Sequence, residues 1–253
     1  MRRLAFLGTV VLLFAGTVTG GATAVAGPAS GLQRIKHTTF TTNWAGYVAT
    51  GQTFSDVNGT WVQPTAKCPS HGRIGIAAFW VGLDGWETNS PTVEQTGTEA
   101  ACVGPSPVYF AWYEFFPAGP VALDSSTYPV IPGDTITAEV KHVATNVTIT
   151  IDSNNSDWPG AFSASISASG LALNSAEWIA EGPTRNLTNF GTLGFTGATA
   201  SNDAVTYVNH PIGDWAHDDI TMVLQQGPFL TTRADPSALG SGDDNFIVTW
   251  QHS

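Results

Sequence analysis

The stretch VEQTGTE, residues 93–99, sets Gln95 between glutamates in a segment with the pattern of a strand. A carboxamide beside carboxylates is either surface decoration or half of a catalytic pair whose partner lies elsewhere in the chain. Three further segments offer comparable groups: FWVGLDG from Phe79, AWYEFFP from Ala111 and AEWIAEG from Ala176. Residues two apart in a strand share a face. Phe79, Val81 and Leu83 therefore form an apolar face, and Trp80, Gly82 and Asp84 the other. By the same rule Trp112, Glu114 and Phe116 alternate with Tyr113 and Phe115, Gln95 shares a side with Gly97 and Glu99, and Glu177 shares a side with Ile179 opposite Trp178. If these segments are neighbours in one curved sheet, they make a groove floored by Trp80 and Trp112 and dotted with Asp84, Gln95, Glu114 and Glu177, the make-up of a ligand cleft. Three uses are open to such a face. Glu114 and Glu177 across a cleft would suit a glycosidase, the tryptophans alone would suit a carbohydrate-binding module, and in the plainest case the tryptophans pack in the core with the acids on its rim.

The elements that must position these groups are short strands. From Phe40 onward, β segments are separated by Gly, Pro, Asn and Asp. Ile136, Ala138 and Val140 alternate with Thr135, Thr137 and Glu139, and Val147, Ile149 and Ile151 with Thr148 and Thr150, so a hairpin is expected after the Pro132-Gly133-Asp134 turn. Further strands are expected at residues 42–49, 59–62, 74–83, 108–116, 162–168, 177–180, 204–208, 220–225 and 246–250. No window has sustained helical periodicity. The expected fold is all-β, a two-sheet antiparallel sandwich in a single domain over residues 40–253, with no internal repeat or linker.

Residues 1–26 read as a secretory signal peptide: Arg2 and Arg3, an apolar run from Leu4 to Ala15, then small residues around Ala22–Ala26. A membrane anchor needs about 20 apolar residues, and this run breaks at Gly16 and Gly20. Residues 27–39 are a short lead-in or remnant prosegment. Without the signal, seven basic residues face 20 acidic ones, a net charge of −13. That balance argues against nucleic acid or anionic membrane partners. It suits an acid-tolerant secreted protein, since so few Lys and Arg leave little positive charge to repel itself once carboxylates protonate. Cys68 and Cys102, the only cysteines, read as one disulfide in an exported chain. The six histidines lack metal-binding spacing, so neither metal nor cofactor is expected.

Five segments, in order, resemble the signatures of the glutamic peptidases, peptidase family G1 or eqolisins: NWAGY (Asn43–Tyr47), FWVGLDG (Phe79–Gly85), EQTG (Glu94–Gly97), AWYEFFP (Ala111–Pro117) and SAEWIAE (Ser175–Glu181). The resemblance runs over most of the chain after residue 43. It implies a sandwich of two seven-stranded sheets similar to concanavalin-like lectins and glucanases. It also implies an acid-active endopeptidase, insensitive to pepstatin and independent of metal, acting as a monomer on proteins or peptides. Carried over by motif, Gln95 and Glu177 are the catalytic pair and Glu94 is not. Trp44, Trp80 and Trp112 contact substrate or position the pair, and Asp84 with Glu114 resembles an acidic pair beneath the site that shares a proton. In this reading ionised Glu177 takes a proton from water and returns it to the leaving amine, Gln95 stabilises the oxyanion, and hydrogen bonding to Gln95 and nearby groups keeps the Glu177 pKa low enough. The pattern is broken at Phe116, where fungal members carry tyrosine, at Glu99, where they tend to have aspartate, and in the short lead-in, where they have a longer propeptide. The Cys68–Cys102 bridge is expected to tie loops at the cleft edge. Sequons at Asn58, Asn146 and Asn186 matter only in a glycosylating host.

Overall fold

The computed structural model describes residues 36–70, 74–87, 90–202 and 208–253. Its first strands are β1 (Lys36–Thr41), β2 (Trp44–Thr50), β3 (Phe54–Val62), β4 (Gly75–Leu83), β5 (Val93–Val103), β6 (Ser106–Phe116) and β7 (Val121–Ala122). The hairpin expected after Pro132 is β8 (Thr135–Val143) and β9 (Asn146–Ser153). There follow β10 (Phe162–Ser167), β11 (Ala176–Glu181), β12 (Thr192–Asn202), β13 (His210–Pro211), β14 (Ala216–Gln226), β15 (Phe229–Pro236) and β16 (Phe246–Trp250), with one 3₁₀ turn at Ile212–Asp214.

The strands pair in the order β10-β9-β8-β3-β12-β16-β15-β14-β2-β11-β4-β5-β6-β7. The path turns over at the β14–β15 hairpin, and the runs on either side of it pack face to face as a sandwich. Across the gap, Trp61 Nε1 donates to Thr98 Oγ1 at 3.0 Å and Trp178 Nε1 donates to the Asn58 carbonyl at 2.7 Å. Those bonds let two large indoles lie in the core without an unsatisfied N–H. Around them pack Phe79, Val81 and Leu83 from β4 and Ile136, Val140, Ile149 and Ile151 from the hairpin, the alternation having sorted these side chains inward as expected.

Besides the two-residue β7 and β13, three longer strands escaped the pattern. In β12, Gly194 and Gly197 resemble turn residues, and the strand does carry a register shift between Thr196 and Thr199. In β15, Phe229 and Leu230 are exposed and Arg233 is buried, the reverse of the usual sorting. Lys36–Thr39, in the segment expected to be a lead-in, begins β1, which pairs in parallel with β14. The signal peptide, most of the lead-in and all but Val208 of the strand expected at 204–208 lie outside the described residues.

Candidate active site

The register of the central layer decides which side chains meet. Glu177 of β11 pairs with Gly82 of β4, Gly82 with Gln95 of β5, and Gln95 with Glu114 of β6. Directly paired residues share a face, so Glu177, Gln95 and Glu114 emerge together on the face turned away from the core. Glu94, one residue along, falls on the core side and is buried there. With strands about 4.8 Å apart, the Cα atoms of Gln95 and Glu177 are separated by about 10 Å. Gly82 fills none of that gap with a side chain. A Cβ added there would lie 3.2 Å from the Gln95 Cβ and 3.0 Å from the Trp80 ring.

Two residues further along the strands come Ile179, Trp80, Gly97 and Trp112, and two beyond those Glu181, Ala78, Glu99 and Phe110, with Trp44 paired to Glu181. Trp44, Trp80, Trp112, Val48, Ile179 and Ile220 form a second apolar cluster on this outer face. Gly97 makes it possible: a Cβ there would collide with the Phe79 carbonyl and with the Trp80 Cβ, 2.7 Å away. Trp80 and Trp112 lie on this face as expected, but they are covered and do not form an open stacking floor. Trp80 has no exposed surface, Trp44 meets it edge-on at 5.0 Å, and Trp86 stacks on Trp44 at 6.2 Å.

The polar partners divide these residues sharply. The Gln95 Nε2 donates to Glu114 Oε2 at 2.6 Å, while its Oε1 is buried without a partner. Neither carboxylate oxygen of Glu177, fully buried, has a hydrogen-bond partner. Burial raises the Glu177 pKa well above 4.5; the nearby Ser175 hydroxyl, short of hydrogen-bond geometry, opposes the shift, and the charges of Asp84 and Glu94 add to it. The expectation that Gln95 would hold this pKa low is thus overturned, because the amide is engaged by Glu114. The Glu114 carboxyl is itself raised by burial, against the lowering effect of Gln95.

Asp84 and Glu114 do not form the expected proton-sharing pair. β4 ends at Leu83, and Asp84 turns out of the strand with φ of 69°. Its carboxylate accepts from the backbone N–H of Leu173 at 2.8 Å and of Asn174 at 2.9 Å, pinning the loop that leads into β11 and Glu177. Glu99 is half-buried four residues along β5 from Gln95, facing Glu181 across Ala78. Glu181, which sequence reasoning left unassigned, accepts from Trp80 Nε1 at 3.0 Å and from Asn43 Nδ2 at 3.2 Å. Its spacing of four from Glu177, on the same strand face, was the available signal.

Cys68 and Cys102 are bonded, with Cα atoms 5.4 Å apart. The bridge is not at the edge of the site. Cys102 faces the core seven residues along β5 from Gln95, roughly 23 Å away at strand rise. Among the described residues, no three His, Cys, Asp or Glu side chains group as metal ligands.

The fold is an antiparallel β-sandwich that gathers a carboxamide, a carboxylate and a tryptophan cluster on one outer face, and its sequence places it among the peptidases. The sequence profile of the Peptidase A4 family matches residues 42–234, and the chain belongs to that family, the eqolisins of peptidase family G1, as a glutamic endopeptidase. It is similar to Aspergillopepsin-2 of Aspergillus niger, 27% identical over 192 residues that cover 66% of this chain and 67% of that protein. Its fold is similar to that of scytalido-glutamic peptidase crystallised with a transition state analog inhibitor. The TM-score is 0.67 at 21% identity, covering 83% of this chain and 98% of that one. It is also similar to SCP-B, a member of the eqolisin family solved in a complex with the tripeptide Ala-Ile-His, with a TM-score of 0.62 at 22% identity over 83% and 98% of the two chains.

Proposed function

We propose that the protein is a secreted acid endopeptidase that cleaves proteins and peptides with Glu177 as base and Gln95 as oxyanion donor. The observation that carries this reading is the row Glu177–Gly82–Gln95, in which a carboxylate and a carboxamide flank a position without a side chain. In this reading the attacking water and the scissile carbonyl meet above Gly82, between the two side chains. Ionised Glu177 takes a proton as the water oxygen attacks the carbonyl carbon, and one Gln95 N–H stabilises the oxygen that becomes negative. Glu177 then gives its proton to the amide nitrogen as the C–N bond breaks, leaving a carboxylic acid and an amine with Glu177 ionised again. A carboxyl of raised proton affinity is a good acceptor for the first step, and because its ionised form is the base, kcat/KM falls on the acid side as Glu177 protonates.

Glu114 and Glu177 stand three strands apart, about 14 Å between Cα atoms, with Gln95 between them, which disfavours the glycosidase arrangement. The net negative charge and the signal-like residues 1–26 support a secreted protein that binds neither nucleic acid nor membrane, and the proposed acting form is a monomer. No helix among the described residues is long and apolar enough to cross a membrane. The test is digestion of denatured casein from pH 2 to 8 by the parent and by Gln95→Ala. The parent should cleave in acid and lose kcat/KM on the acid side as Glu177 protonates, and Gln95→Ala should lose on the order of 100-fold or more in kcat. Full activity in Gln95→Ala would end the proposal.

A further inference from the structure

We propose that Glu114 is the positioning residue for Gln95: by accepting from Nε2 it decides which end of the carboxamide is offered to the reacting groups. The proposal rests on the reading of Gln95 as oxyanion donor. A carboxamide is nearly symmetric in shape and opposite in chemistry at its two ends, so a half-turn about Cγ–Cδ exchanges a donor for an acceptor. The surroundings of Gln95 are lopsided in a way that removes this ambiguity. On the β4 side stands Gly82, with no side chain. On the β6 side Glu114 is in direct register, its Oε2 2.6 Å from the amide nitrogen. Gln95 and Glu114 are 4% and 2% exposed, so bulk water does not compete for either group.

While Glu114 is ionised, its oxygen can be met only by the nitrogen end. The flipped amide would press Oε1 against the Glu114 oxygen, two lone-pair atoms facing each other. Held as it is, the amide turns Oε1 away from Glu114, and that oxygen is buried with no partner. The second hydrogen on Nε2 also stays uncommitted by Glu114. One amide then presents an acceptor for the attacking water and a donor for the oxyanion at the same time. A glutamine with nothing to hold it would divide between the two orientations, and only one of them is productive. Glu114 needs no contact with substrate for this task. It needs the reach of a glutamate, since the partner lies on the next strand.

The test is a mutant cycle with steady-state kinetics on a peptide substrate, read together with the side-chain amide resonance of Gln95, assigned by its disappearance in Gln95→Ala. Glu114→Ala should lose on the order of 100-fold in kcat with KM within about twofold. Glu114→Gln keeps the reach but can turn either end of its own amide toward Gln95, so its kcat should lie between those of the parent and Glu114→Ala. In the Gln95→Ala background the further change Glu114→Ala should cost less than about twofold, because a positioning residue has nothing left to position. The Gln95 amide protons should move upfield in Glu114→Ala, a readout that needs no turnover and also reports whether the variant is folded. A parent-like kcat in Glu114→Ala, an undiminished cost in the Gln95→Ala background, or an unmoved amide resonance would each overturn the assignment. Full activity in Gln95→Ala would defeat the catalytic reading itself, whereas an inactive Gln95→Ala beside a parent-like Glu114→Ala would defeat only the role of Glu114.

Discussion

Two acid-bearing rows run side by side across the same outer face, four residues apart along the same strands. In one, Glu177 faces Gln95 across Gly82; in the other, Glu181 faces Glu99 across Ala78. Glu177 and Glu181 are both buried, and burial raises both pKa values. They differ in what their oxygens touch. Glu181 accepts from Trp80 and Asn43, while neither oxygen of Glu177 has a partner. A buried carboxyl with its acceptors filled holds the scaffold together, and one with its acceptors empty costs stability that only a function repays. The smaller residue also stands where the empty acceptors are, so the gap and the unsatisfied group coincide.

The sharpest way to break this contrast is to neutralise both acids alike. Glu177→Gln should lose at least about 10³-fold in kcat while keeping or gaining thermal stability, since a buried unpartnered acid is exchanged for a neutral group of the same shape. Glu181→Gln should keep kcat within about tenfold and, in acid, lose on the order of 1–3 kcal/mol of stability, because an amide nitrogen replaces one of the two oxygens that accept from Trp80 and Asn43. Denaturant melts run beside casein assays separate the two. If the Glu181 variant loses as much activity as the Glu177 variant and no stability, the division between the rows is wrong.

Filling the gap is the next test. In Gly82→Ala the new methyl sits 3.0 Å from the Trp80 ring and 3.2 Å from the Gln95 Cβ. Either neighbour must give way, and a small displacement of Gln95 is expensive in a positioned site. A fall in kcat of about 10- to 100-fold is expected, with a stability loss of about 1–3 kcal/mol. A variant as active as the parent would mean that water and substrate do not use the space above Gly82.

Much of this site was legible in the sequence because parity in a strand is nearly all that its construction requires. Gln95, Glu114 and Glu177 stand on one face for the reason their alternation with Glu94, Tyr113 and Trp178 suggests. Parity failed at Asp84, where the strand had already ended and a positive φ redirected the side chain to backbone N–H groups of a loop some ninety residues away. It could not say that the tryptophans cover one another, because burial on an outer face depends on what crosses it. Nor could it give partners: that Gln95 bonds Glu114, and that Glu181 collects Trp80 and Asn43, follows from register between strands distant in sequence. β12 and β15 were illegible for a local reason, glycines inside one and inverted polarity along the other.

The second row also sets how stability depends on pH. Burial first, then the neighbouring charge of Glu181, raises Glu99 to about 7, and burial, opposed by Trp80 and Asn43, raises Glu181 to about 7. On the core side, burial and then Asp84 raise Glu94 to about 8. Below 4.5 these groups are protonated folded or unfolded, and their contribution to stability is fully present. Between 4.5 and their folded values the unfolded chain releases protons that the folded chain keeps, so stability falls as pH rises, and the loss is complete above about 8. A single glutamate raised from 4.5 to about 7 costs on the order of 3 kcal/mol across that window. Thermal melts should therefore drop steadily from pH 4 to 8, and less steeply in Glu181→Gln. A melting temperature that is flat or rising over that range would show that these carboxyls are ionised in the folded protein.

The smallest effect on chemistry is expected from the Cys68–Cys102 bridge, which lies on the core side and far along β5 from Gln95. It closes a loop spanning 34 positions, worth roughly 3–4 kcal/mol by chain entropy. Reduction under native conditions should lower the melting temperature and leave kcat and KM within about twofold, because the Glu177–Gln95 row is held by its own strand pairing and by the aromatic cluster beside it. If reduction lowers kcat as strongly as Gly82→Ala at a temperature where the fold persists, the outer face depends on the far end of β5. The two rows would then have to be treated as one mechanical unit.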